Sequence, residues 1–112
     1  MNRTFNVWYQ KKFGFYFRDG EDKLLESIDP QNLEATHTFL KEEEAEDLED
    51  LYRKMQGEYW SPWGEARDLI RTRGLSHTSM SVGDVAVLDG RTFVCVNVGW
   101  KEVPAKKKRV AA

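Results

Sequence analysis

The chain has 112 residues, enough for one hydrophobic core and too few for two. Its aromatic content, with Trp8, Trp60, Trp63 and Trp100, is not that of a disordered chain. Cys95 is the only cysteine, which excludes an intramolecular disulfide and a cysteine-based zinc site. The net charge of −2 hides two opposed blocks: 13 acids against 2 bases between Asp19 and Asp50, and five bases against one acid from Lys101 onward.

Thr4 to Tyr9 alternates, with Phe5, Val7 and Tyr9 on one side, and reads as a strand. Phe13 to Phe17, rich in aromatics, reads as a second strand closed by an Asp19-Gly20 turn. Leu24 to Asn32 is ambiguous between one helical turn and two and ends at Asp29-Pro30. Glu34 to Leu40 alternates again, with Ala35, His37 and Phe39 on one side.

Glu42 to Met55 carries the strongest helical pattern. Ala45, Leu48, Leu51, Tyr52 and Met55 make one apolar stripe, acids crowd the start, and Arg53 and Lys54 close it, as the helix dipole favours. Gly57 is read as its stop. Ser61-Pro62 suits the start of a second helix, with Ser as N-cap and Pro in the first helical position. Ala66, Leu69 and Ile70 supply that helix's apolar face, and Gly74 ends it. From Ser81 to Val103 the pattern is a hairpin about Asp89-Gly90. The expected fold is α+β: an antiparallel sheet of about four to five strands with two helices on one face, in the order β-β-α-α-β-β. A single domain is expected over 1–103, followed by a mobile basic tail over 104–112. No apolar run suggests a signal peptide or a membrane span.

Seven of the nine residues from Glu42 to Asp50 are carboxylates. The bland reading is a solvated helix face. The functional reading is a row of negative charge that imitates nucleic-acid phosphates and meets a cationic groove, formed by Glu42, Glu43, Glu46, Asp47, Glu49 and Asp50. Trp60 and Trp63 flank the expected helix start; they either seal the core or, with Arg67, anchor a partner. His37 and His77 stand 40 residues apart in no metal-binding frame, so neither a metal nor a cofactor is expected. His77, Ser79 and Asp84 hold the residue types of a hydrolytic triad within one short segment, but the simpler reading is a loop whose hydroxyls cap backbone groups. No Gly-rich nucleotide cradle exists. Lys106, Lys107, Lys108 and Arg109 make a basic run suited to weak, sequence-independent nucleic-acid contact.

Met55-Gln56-Gly57, Trp60-Ser61-Pro62, Gly64-Glu65-Ala66-Arg67 and Leu69-Ile70, followed by His77-Thr78-Ser79-Met80-Ser81-Val82-Gly83-Asp84-Val85 and Val98-Gly99-Trp100, resemble a group of small phage- and plasmid-encoded proteins. The resemblance covers roughly residues 34 to 103. The group's pattern often has Asn where this chain has Trp63. What the resemblance implies is habitat: mobile elements in the bacterial cytoplasm. By analogy with anti-CRISPR and anti-restriction proteins, it implies a non-enzymatic inhibitor of a host protein or ribonucleoprotein defence complex. The alternative expectation is a small nucleic-acid-binding module that uses the basic tail.

Overall fold

A computed structural model describes residues 2–12 and 15–105, the side chains of 15–19 excepted. Five antiparallel strands form one sheet in the spatial order β2-β1-β3-β4-β5. Their ranges are β1 Arg3–Gln10, β2 His37–Ala45, β3 Val85–Leu88, β4 Arg91–Cys95 and β5 Trp100–Val103. The helices are α1 Phe15–Ser27, α2 Leu48–Lys54, α3 Gly57–Trp60 and α4 Arg67–Thr72, and a 3-10 turn spans Leu33–Ala35.

The α+β class and the antiparallel sheet agree with the sequence reading, but the order of elements does not. The chain runs β-α-β, then three helices, then β-β-β. The aromatic segment expected as a second strand is helical from Phe15, while Phe13 and Gly14 lie outside the described residues. The reason is topological. β1 is already flanked by β2 and β3, so no place beside it remains for a strand from that segment. Gly20, at φ 84° and ψ 173°, kinks α1 where a turn was expected.

The sheet is covered on both faces. Phe5, Val7 and Tyr9 of β1 pack with Leu51 and Met55 from the α2 segment and with Ile70 of α4. On the opposite face Leu24, Ile28 and Leu33 pack with Val85, Val94 and Val103. The expected arrangement, two helices on one face, is therefore corrected to a three-layer one, with α1 and the 3-10 turn on one side and α2 and α4 on the other. Burial of apolar area on each face is what holds the layers together.

The second correction concerns the acidic segment. Glu42, Glu43 and Glu44 belong to β2, opposite Asn6, Phe5 and Thr4 of β1. The helix begins only at Leu48, capped by Asp47, whose side chain accepts the N–H of Asp50 at 2.8 Å. In a helix, acids at this density would meet at spacings of three and four and repel. In a strand they alternate between faces, and β1 gains its second neighbour. The dipole pattern survives in the shortened helix, with Glu49 and Asp50 in the first turn and Arg53 and Lys54 in the last. Replacing the cap, Asp47→Ala, is expected to cost about 1 kcal/mol of unfolding free energy in urea titration. It leaves the helix as the only element affected.

β2 is also irregular. Val7 faces Lys41 and Trp8 faces Phe39, so Leu40 is an extra residue in a bulge. Leu40 is buried among the β1 and α2 side chains. Downstream of it Lys41 and Glu43 share a side and are bonded at 3.0 Å.

The helix expected at Ser61-Pro62 starts later. Ser61 ends the single turn of α3, and α4 begins at Arg67. The Ser61 hydroxyl instead accepts the N–H of Ala66 at 2.8 Å, bridging the intervening turn. The end of α4 is as read: Gly74, at φ 71°, donates to Arg71 O, and Leu75 donates to Ile70 O, both at 2.9 Å. This is a Schellman closure with Leu75 and Ile70 both packed into the core. The closing hairpin is also as read, since Asp89 and Gly90 both take positive φ, 51° and 78°, the requirement of a type I′ turn. A fifth strand, β5, extends it to a meander.

Candidate partner-binding surface

β2 lies at one edge of the sheet and β5 at the other. An edge strand offers unpaired backbone groups to other chains, and charge along it governs what docks there. The six carboxylates read as one acidic face divide here into two kinds. Asp47 caps α2. Asp50 accepts the N–H of Glu46 and pairs with Arg53 and Lys54, which hold its carboxyl down at about 2, the Glu46 hydrogen bond contributing most. Glu43 pairs with Lys41. These three are engaged with the fold. Glu42, Glu46 and Glu49 are exposed and take no part in the ion pairs of the described residues. Glu44, not among the residues singled out from sequence, is exposed in the same way. Strand alternation would have found it: Glu42 and Glu44 share a side.

The aromatic candidates separate too. Trp60 packs against the core, donates its indole N–H to Thr78 O at 3.1 Å and lies under the Lys41 ammonium at 5.2 Å. It seals the core. Trp63 is 88% exposed in the turn before α4. Arg67, four residues on, is also exposed, with its guanidinium close over Gly64. Of the three, Trp63 and Arg67 therefore meet solvent and Trp60 does not. Lys106, Lys107, Lys108 and Arg109 lie outside the described residues.

The His77, Ser79 and Asp84 group is partly assembled. His77 Nε2 meets Asp84 Oδ2 at 2.9 Å. Ser79, however, turns its hydroxyl to accept the N–H of Gly57 at 2.8 Å. Asp84 is fully buried and accepts two further bonds, from Gln10 N–H at 2.9 Å and Ser81 N–H at 2.8 Å. Tyr9 stacks on the His77 ring, centroids 4.5 Å apart, and donates to Thr78 O at 2.7 Å. The carboxylate thus ties the end of β1 to the loop before β3. Burial pushes the Asp84 carboxyl above the usual carboxylate range, against the pull of His77 and the backbone donors. His37 joins the same region. Its Nε2 meets Gly83 O at 2.7 Å and its Nδ1 meets the Thr36 hydroxyl at 2.8 Å, an arrangement that suits a neutral ring. Burial lowers the His37 pKa accordingly. Burial likewise pushes the Cys95 thiol up to about 12, so it is a packed, inert thiol.

Sequence reading set His77 and Asp84 in one short segment and missed the clasp that Tyr9, Gln10 and His37 complete. Its members come from three segments, and only the fold brings them together. Among the described residues no group of three or more His, Cys, Asp and Glu side chains could hold a metal ion. No helix among them is long and apolar enough to cross a membrane.

Comparison with protein-family models, with curated proteins and with solved structures finds no match to this chain.

Proposed function

We propose that the protein is a non-enzymatic binding protein that engages the cationic surface of a nucleic-acid-handling complex through the acidic edge of its sheet. The observation that carries this reading is the set of exposed carboxylates, Glu42, Glu44, Glu46 and Glu49, along the edge strand β2, the turn after it and the start of α2. Such a field speeds encounter with a positive partner and makes association salt-sensitive. Trp63, with Arg67, supplies an apolar anchor of the kind that concentrates binding energy. The resemblance to phage- and plasmid-encoded proteins narrows the partner to a host defence complex of the anti-CRISPR or anti-restriction type, with inhibition as the outcome.

The test uses carboxylates that the fold does not need. A variant with Glu42→Lys, Glu44→Lys and Glu46→Lys is expected to keep its circular dichroism and unfolding midpoint. It is expected to lose capture of nucleic-acid-handling complexes from bacterial lysate, read by mass spectrometry. Undiminished capture by the reversed protein removes the reading. Retention of labelled DNA or RNA by the wild type, lost when residues 106–109 are deleted, would instead favour direct nucleic-acid binding by the tail.

A further inference from the structure

A second feature lies beside the acidic surface. A groove of about 330 Å³ runs between α2 and the β4–β5 connection, lined by Glu49, Tyr52, Val82, Val96, Asn97 and Trp100. It sits at the small end of the range for ligand clefts, sized for one side chain. Its chemistry is mixed in a particular way: two aromatic rings, apolar walls from two valines, and a carboxylate that takes no part in the ion pairs of the described residues. Trp100 is packed against the core and therefore fixed, while Tyr52 is 40% exposed. Val98, 91% exposed, stands between two residues of the connection that line the groove.

From this geometry we propose that the groove receives the guanidinium of one arginine from the protein partner. The inference rests on the proposed acidic-surface reading and deepens it. A planar guanidinium is weakly hydrated, is attracted to aromatic faces and pairs with carboxylate. An ammonium is more strongly hydrated and gains less from the rings. The charge of the groove agrees with its surroundings, since Glu49 continues the exposed acids of the β2–α2 turn. Arginines that handle nucleic acid lie against both phosphates and base faces. A site with one carboxylate beside two aromatic rings offers such an arginine both contacts at once. A second cleft, of about 260 Å³, is lined by Lys11 and Lys12 and has the opposite charge.

The experiment is a titration of the full chain with N-acetyl-arginine N-methylamide, followed by assigned amide and indole NMR signals. Its neutral isostere, N-acetyl-citrulline N-methylamide, is the control. Saturable shifts are expected at Asn97, Gly99 and the Trp100 indole with the arginine probe and not with citrulline. Glu49→Gln and Tyr52→Leu are each expected to weaken the probe about 3-fold, with the remaining signals unmoved. Equal shifts with citrulline, no saturable shift, or no loss in either variant overturns the proposal. Shifts confined to residues 42–46 would remove the groove and leave the acidic surface standing. Groove shifts in a protein whose charge reversal leaves lysate capture intact would remove the surface reading instead.

Discussion

Asp84→Ala is expected to cost about 3–5 kcal/mol of unfolding free energy, a large fraction of the stability of a domain whose total is about 5–15 kcal/mol. The substitution leaves the Gln10 N–H, the Ser81 N–H and the His77 ring without their acceptor, in a place water does not reach. Asp84→Asn keeps the volume and one acceptor oxygen, and is expected to cost only about 1–2 kcal/mol near neutral pH. The pH dependence gives a second check. The carboxyl is raised in the fold, so the folded state binds the proton more tightly than the unfolded chain. Its contribution is full below the ordinary carboxyl value of 3.8 and is lost as pH rises through the folded value. The stability gap between wild type and Asp84→Asn should therefore narrow as pH rises across that window. Urea midpoints at several pH values measure it. A gap that widens would mean that the hydrogen bonds to the charged form outweigh burial.

Gly83→Ala is the other large effect, expected at about 2–4 kcal/mol. Gly83 has φ 100°, a conformation that side chains rarely tolerate, and an added Cβ would stand 2.5 Å from Gln10 Oε1. Gln10 cannot swing aside freely, because it is buried and donates to Val82 O at 2.7 Å. The backbone strain and the clash are separable. In the double variant Gly83→Ala with Gln10→Ala the clash is gone and only strain and the lost hydrogen bond remain. Its cost should therefore fall below the sum of the two single costs. Strict additivity would show that the two side chains do not compete for the same space.

The parts of the fold legible in the sequence were those set by local chemistry. β1 follows from its alternating Phe5, Val7 and Tyr9. The β3–β4 turn follows from Asp89-Gly90, and the end of α4 from Gly74, because each needs a backbone conformation that few residues supply. The failures share a cause. The stripe from Ala45 to Met55 is periodic, but Ala45 earns its burial in a strand opposite Arg3 and the others in a helix that starts after Asp47. One apolar pattern was read across two elements. The aromatic run before Gly20 has strand propensity, yet the sheet had no position for it. That is a tertiary fact.

The candidate surface was legible in composition and not in geometry. Six carboxylates were singled out. Three of them are engaged by caps and ion pairs, and the exposed set gains Glu44, which helical spacing had passed over. Trp60 and Trp63 look alike in sequence. Only the path of the chain decides that one seals the core and the other meets solvent.

The extra residue in β2 has a consequence for the length of the chain. With Leu40 set aside, the residues on either side of it alternate without interruption, so the strand carries one residue of slack. A chain one residue shorter here could take up that slack and keep Lys41 and Glu43 on one side and Glu42 and Glu44 on the other, losing only the packing of Leu40 itself. A second deletion has nothing left to draw on. It would turn Ala45 outward and carry Glu46 into its buried place opposite Arg3. In this strand a change of length by one is a change of packing, and by two a change of which face of the protein is charged.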